Sequence, residues 1–377
     1  MKIADVRSFT VFDGTRNYLF VKVYTDEGLD GIGEFGITWK ERAGAGAVEH
    51  MKGHLVGQDP LNTERLWQVL LRGDFFPGGR INMAAQSAID IALWDIKGKA
   101  YGQPVHMLLG GQLRDRVACY TGVGGPTPEA AAAAAVERVQ EGWRFVRLSA
   151  IDRAGVLDGP TAVRDSVAHF AAVRRAVGPD VGICIDVHTR LDPPDAVRLG
   201  RQLEEHDPFF IEDPLRCENP QSYRHLRHHV SAPLAVGEHF AGKWEFRQLI
   251  EEELLDYARI DLCIAGGLTE ARKIANWCET HYIKIAPHNP LGPVSAAACL
   301  HLDLATDNFG VQEMWRVGSP VMQELFPVQV PFEAGHLLPP QRPGLGVEFD
   351  EEAATRYAFQ WQTGPQLRRP DGSFTNW

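Results

Sequence analysis

The chain has no apolar run long enough to span a bilayer, no CxxC pair among its six cysteines, and no Gly-rich phosphate-binding loop after an early strand. The first absence excludes a helical membrane protein. The second excludes the usual zinc modules and a disulfide framework, so Cys119, Cys184, Cys217, Cys263, Cys278 and Cys299 are expected as reduced, mostly buried thiols. The third argues against a dinucleotide-binding open sheet. Excess positive charge is also missing. With 38 Lys and Arg against 49 Asp and Glu, the formal net charge is −11, which disfavours nucleic-acid binding because that depends on basic side chains displacing condensed counterions. The first residues read as a strand, without the basic start and apolar stretch of a secretory signal, so the expected location is cytoplasmic.

What is present suits a large soluble globular protein. A length of 377 residues exceeds the usual single domain, and 44% apolar content supplies a substantial core. Alternating runs at 7–12, 18–24 and 31–35, separated by Asp13-Gly14 and Asp26-Glu27-Gly28, predict an antiparallel meander. Helical periodicity follows to Gly110-Gly111 and is clearest over residues 83–95. From residue 116 eight short apolar runs alternate with amphipathic segments: 117–121, 145–149, 182–187, 209–212, 234–237, 258–262, 283–286 and 309–312. Most intervals are 24 to 28 residues, with a longer one after Ser149. That period predicts a (β/α)8-type barrel, each parallel strand requiring a crossover helix. The expected organisation is an α+β capping unit over residues 1–115, a barrel over 116–328, and a Pro- and Gly-rich segment, 329–377, returning to the cap.

Three predicted strands end in a carboxylate, Asp186, Glu212 and Glu238, each 26 residues from the next. In a barrel they stand side by side at the C-terminal rim, where barrel active sites lie. Three oxygen donors without sulfur suit a hard cation such as Mg2+. Each could instead cap the helix after its strand. Asp261 and His288 end the sixth and seventh strands, 27 residues apart, and could form a carboxylate-imidazole pair acting as a general base. His188 lies two residues beyond Asp186, and strand alternation sends it to the same side. Glu313 ends the eighth strand, where it could donate to a developing oxyanion if protonated, orient substrate, or make a salt bridge at the rim.

These residues resemble the mandelate racemase subgroup of the enolase superfamily, in particular its galactonate dehydratase and mannonate dehydratase branches. The resemblance runs nearly end to end, through Ala88 to Lys99, Asp186-Val187-His188, Ile211-Glu212-Asp213-Pro214, Gly237-Glu238-His239, Ala265-Gly266-Gly267-Leu268-Thr269, Ala286-Pro287-His288 and Pro343-Gly344-Leu345-Gly346-Val347-Glu348. It implies an enolase-like modified barrel, a cap built from both chain ends, and Mg2+, with Mn2+ as a substitute, held by Asp186, Glu212 and Glu238. It also implies a substrate carboxylate on the metal and an enediolate intermediate. Racemases of the subgroup carry a Lys-x-Lys motif at the second strand end, matched here by Arg147-Leu148-Ser149, so two-base racemisation is not expected. The mannonate branch uses a tyrosine in a long loop after that strand, and no tyrosine stands between Ile151 and Ile185.

The resemblance therefore implies galactonate-type chemistry on a small sugar acid: His288 as base supported by Asp261, His188 as acid, Glu313 as a polarising group. The product would be a 2-keto-3-deoxy acid. A cycloisomerase or epimerase acting on an anhydro, uronic or aldaric acid would use the same site, and a non-catalytic sugar-acid-binding protein would keep the fold. Arg147, His239 and Trp315 are candidate substrate contacts, with the loops 35–42 and 75–82 as candidate specificity elements. A homo-oligomer without nucleic-acid or membrane partners is expected.

Overall fold

The computed structural model describes residues 1–152, 159–314 and 319–375. Trp315 lies outside the described residues. The chain opens with the antiparallel strands β1 (Ile3–Phe12), β2 (Asn17–Thr25) and β3 (Asp30–Glu34), adjacent in that order. Asp13 turns the first hairpin by accepting backbone N–H groups from Thr15 and Arg16, each at 2.8 Å. Three helices follow: α1 (Glu41–Leu55), α2 (Thr63–Arg72) and α3 (Arg80–Ala100). Nearly every residue of α3 from Met83 to Ile96 is buried, as expected of a helix apolar on all sides. It lies between the meander and the rest of the molecule.

Eight parallel strands then appear where the periodicity predicts them: β4 (Val117–Gly122), β5 (Phe145–Ser149), β6 (Gly182–Asp186), β7 (Phe210–Glu212), β8 (Leu234–Val236), β9 (Tyr257–Ala258), β10 (Lys284–Ile285) and β11 (Gln312–Glu313). Each pairs with the next in parallel from β4 to β10, and β11 pairs with β4 through Gln312 and Cys119. Between β10 and β11 the contact narrows to one parallel bridge, Ile285 to Phe309. The expected eighth strand, 309–312, is thus displaced toward Glu313. Backbone bonds nevertheless run on through this stretch, from Ile285 N–H to the Asn308 carbonyl at 2.8 Å and from Gly310 N–H to the Ile285 carbonyl at 2.9 Å, and Gly310 packs against the Tyr257 ring, which an added Cβ would approach to 2.7 Å. Regular pairing of β9 also stops before the expected residue 262, although the His288 N–H still donates to the Ile260 carbonyl at 3.1 Å.

The cap is sewn to the barrel along α3. Thr269, in the helix Gly267–Glu279, donates its N–H and hydroxyl to Asp90 at 3.0 and 2.6 Å, and its hydroxyl accepts from the Trp94 indole at 2.8 Å. Ser87 accepts the Gly266 N–H and the Trp67 indole donates to the Gly266 carbonyl, both at 2.8 Å. Gly267 has φ +76°, and a Cβ there would sit 2.3 Å from Asp90 Oδ2. The motif Ala265-Gly266-Gly267-Leu268-Thr269 is thereby explained as a joint.

Late residues reach back to both units. The strands β12 (Phe332–Glu333) and β13 (His336–Leu337) form a hairpin whose second strand lies antiparallel to the start of β4. Further on, Leu345 donates to Asp95, Glu351 pairs with Lys22, and Ala358 bridges Val11. No helix among the described residues is long and apolar enough to cross a membrane.

Asp95 is fully buried and accepts from Ile32 N–H at 3.1 Å, Leu345 N–H at 2.8 Å and Lys99 Nζ at 2.8 Å, joining β3, α3 and the C-terminal segment. Asp95→Ala strands two buried N–H groups and should lower the unfolding free energy by about 3 kcal/mol. A urea titration measures this, and a loss below about 0.5 kcal/mol, ordinary for a surface change, contradicts the assignment.

Candidate active site

Residues Ser149, Asp186, Glu212 and Ala235 are register partners across β5, β6, β7 and β8, so the first two carboxylates leave neighbouring strands at the same level. Glu238 follows two residues after β8. Asp186, Glu212 and Glu238 are buried, and each offers an oxygen within 4.8 Å of the others. The capping alternative is not what the structure shows: their hydrogen bonds go to the arginines and histidines described below, apart from one Asp186 oxygen that receives the His188 N–H.

Two arginines fill the barrel interior beneath them. Arg259, fully buried, places Nε 2.5 Å from Glu212 Oε1 and Nη2 2.6 Å from Glu313 Oε2, with further bonds to Tyr120 Oη and the carbonyls of Ala286 and Pro287. Arg147 places Nη1 2.5 Å from Asp186 Oδ2 and Nη2 3.8 Å from Glu313. Arg147, expected as a substrate contact, is only 6% exposed and turned onto these carboxylates, so its geometry is that of a brace. Arg259 was missed as a functional residue; its signal is a cation inside the apolar run 258–262, two residues before Asp261.

The imidazoles stand at opposite ends of the carboxylate row. His288 Nδ1 lies 2.8 Å from Asp261 Oδ2, whose other oxygen accepts the Cys263 N–H at 2.7 Å, and Nε2 faces Glu238 at 3.4 Å. His188 Nε2 lies 2.8 Å from Asp186 Oδ2. Strand alternation does not put it there. β6 ends at Asp186, and His188 and Thr189 adopt φ values of 52° and 57°, a left-handed turn that the bond from His188 N–H to Asp186 Oδ1 helps close. His239 is half-exposed, with Nε2 3.4 Å from Glu238 Oε1. Arg80, at the end of the 75–82 loop, donates to the His239 carbonyl at 2.8 Å, and Gly36 donates to the Cys263 carbonyl at 3.0 Å. Both candidate specificity loops therefore reach the rim near β8 and β9.

Residues 7–110 match the mandelate racemase / muconate lactonizing enzyme N-terminal domain, and residues 130–353 match the enolase C-terminal domain-like family. The chain belongs to the mandelate racemase subgroup of the enolase superfamily. Among its relatives, a D-galactonate dehydratase from Ralstonia nicotianae is 39% identical, over 96% of this chain and 96% of that protein. A D-mannonate dehydratase from Caulobacter vibrioides is 37% identical over the whole of both chains. Among solved structures, an enolase from Pantoea ananatis with bound D-gluconate and Mg superposes with a TM-score of 0.92 at 30% identity, covering 99% of each chain.

Within this enolase-superfamily site, charge is unevenly balanced. Glu212 Oε2 is buried without a hydrogen-bond partner, although its sister oxygen holds Arg259. Burial pushes the Glu212 carboxyl up to about 8 against the pull of Arg259, because Asp186 and Glu313 already crowd the interior with negative charge. Burial also opposes ionisation of Glu313, but Arg259, His288 and Arg147 outweigh it and hold the carboxyl at about 2. The direction favours an ionised Glu313, in an orienting or ion-paired role, over the protonated donor. A buried carboxyl oxygen without a partner, on a group whose ionisation lacks compensating positive charge, fits a hard divalent cation.

For His288, burial lowers the pKa, yet Glu238, the bond to Asp261 and the charge of Glu313 together raise it to about 9. Because this lies above the ordinary 6.5, the imidazolium's contribution to stability is complete below pH 6.5 and disappears as pH rises through about 9. A divalent cation beside Glu238 cancels that attraction. In chelator-treated protein the His288 ring should titrate near 9 by NMR, and Mg2+ should move the midpoint down by about one unit or more. A midpoint indifferent to Mg2+ contradicts this arrangement.

Proposed function

We propose that this enzyme is a Mg2+-dependent sugar-acid dehydratase that removes the C2 proton of an aldonic acid and expels the C3 hydroxyl, giving a 2-keto-3-deoxy acid. The observation that carries the reading is the His288–Asp261 bond, which leaves His288 Nε2 facing Glu238 at one end of the carboxylate row while His188 stands at Asp186, the other end. Asp186, Glu212 and Glu238 would hold the cation. When bound, it supplies positive charge beside the substrate carboxylate, where negative charge grows as the C2 proton leaves.

Asp261 keeps the His288 tautomer with hydrogen on Nδ1, so Nε2 is free to accept the C2 proton. His188, whose pKa the charge of Asp186 chiefly raises to about 9 before any cation shares that carboxylate, donates to the departing C3 hydroxyl. The C2–H and C3–O bonds break, a C2–C3 double bond forms, water leaves, and the enol tautomerises to the keto acid. Glu313, ionised and fixed by Arg259, orients substrate. Serine at position 149, where racemases of the subgroup carry a second base, leaves one imidazole on each side with a separate task. The galactonate and mannonate dehydratase relatives support a sugar acid, and Asp261 together with the missing tyrosine favours the galactonate type. The reading includes Mn2+ as a substitute metal, a cytoplasmic homo-oligomer, and a small-molecule substrate. Six free cysteines suit a reducing compartment.

Chelation should abolish turnover on aldonic acids and Mg2+ or Mn2+ should restore it, while Glu212→Gln weakens metal binding measured by calorimetry. Full activity of rigorously metal-free protein contradicts the reading. In deuterated water, His288→Asn should lose both C2 exchange and dehydration, by about 10²–10⁴-fold, whereas His188→Gln loses dehydration and retains exchange. If each variant instead keeps wild-type turnover, neither histidine is catalytic. Asp261→Asn should lower kcat and displace its acidic pH limb, and an unchanged profile in folded protein refutes the pair.

A further inference from the structure

A second group of ligating side chains lies on the surface of the cap, on different elements from the carboxylate row. His50 and His54 are one turn apart on α1, so their rings project from the same face. Asp74 approaches them from the loop between α2 and α3. His50 Nε2 lies 3.6 Å from Asp74 Oδ2, and His54 Nε2 lies 3.9 Å from Asp74 Oδ1. One ligand atom from each residue falls within 4.8 Å of the other two. In a tetrahedral zinc site with arms of about 2.0–2.1 Å, ligand atoms sit about 3.3 Å apart, so a contraction of at most about 1.5 Å closes the set. Such a movement is within the reach of exposed side chains.

We propose that His50, His54 and Asp74 form a binding site for a transition-metal cation, with Zn2+ as the fitting ion, and that the metal ties the cap loop to α1. The donor set selects the ion. Two imidazoles and one carboxylate suit Zn2+, Cu2+ or Ni2+, whereas Mg2+ prefers oxygen alone. Three protein ligands leave a coordination position for water, as at an open rather than a structural zinc site.

The loop gives the site its consequence. Asp74 is followed by Phe75 and Phe76, 89% and 83% exposed, and then by Gly78 and Gly79, both with positive φ. Immediately beyond, Arg80 bonds to the His239 carbonyl and pairs with Glu245 on the barrel side. Fixing Asp74 to α1 therefore anchors one end of a segment whose other end touches the rim of the active site. The loop would exchange less often between arrangements in the metal-bound form.

The test uses full-length enzyme saturated with Mg2+, so that the carboxylate row is filled. Cu2+ serves as the spectroscopic probe and Zn2+ as the competing ion. Wild-type protein should bind one Cu2+ whose paramagnetic resonance shows coupling to two nitrogens. His50→Ala and His54→Ala should each weaken binding at least tenfold, and Zn2+ should displace the signal. Zn2+ should also slow chymotrypsin cleavage between Phe75 and Phe76 several-fold in wild type and not in His54→Ala, with cleavage at exposed Tyr282 unaffected. Basal turnover without Zn2+ should be the same in His54→Ala and wild type. The helix Ser222–His229 carries a competing set, His225, His228 and His229. If the His50→Ala, His54→Ala double variant binds Cu2+ like wild type, the metal lies there or elsewhere and the proposal fails. It fails equally if Zn2+ binds the histidines but leaves cleavage at Phe75 unchanged, because the loop is then not tied.

Discussion

The guanidinium of Arg259 is the fixed point of this active site. A cation buried without water is tolerated only when anions and carbonyls surround it closely, and Arg259 meets that demand by gripping Glu212, Glu313, Tyr120 and two backbone carbonyls at once. The same contacts dictate where the carboxylates can be. Glu212 gives one oxygen to the arginine and keeps the other free, and Glu313 is favoured in its ionised form. Arg147 repeats the arrangement at Asp186. Two buried cations cannot balance the carboxylates above them, and this residual negative charge makes a divalent ion a natural complement.

The histidines depend on that frame in different ways. His288 is held through Asp261 on the neighbouring strand end, so its position follows from barrel register. His188 is placed by a left-handed backbone turn, a conformation that costs on the order of 1 kcal/mol for a residue with a Cβ. Such a turn persists because the side chain and the N–H of His188 both bind Asp186. Local strain here places a second imidazole at the Asp186 end of the carboxylate row.

How much of this could be read from residues alone depended on whether the interaction follows a repeat. Asp186, Glu212 and Glu238 were legible because equal spacing in a barrel translates into adjacent strand ends, and Asp261 with His288 followed by the same logic. The eight strands were legible too, within a few residues, the last one lying slightly later than its apolar run. Arg259 was not, since its partners lie 47 and 54 residues away and no periodicity announces an ion pair across a barrel interior. The brace that Arg147 makes to Asp186 was hidden for the same reason. The charge state of Glu313 depends on Arg259, His288 and Arg147 converging on it from other strands, so it could only be posed as alternatives. His188 was placed on the correct side by an argument from strand alternation that the backbone does not obey.

The seam between α3 and the 265–269 segment has a consequence for how molecules enter. One continuous apolar core contains Tyr18, Phe20, Ile91 and Trp94 of the cap together with residues from the barrel's outer helices, and the Asp90, Ser87, Trp67 and Trp94 bonds lock the same boundary. A cap fastened in this manner cannot swing away like a hinged cover. Beside that seam only short segments meet the rim, Gly36 through the Cys263 carbonyl and Arg80 through the His239 carbonyl, so any adjustment to the size of a guest falls to them and not to the cap as a body.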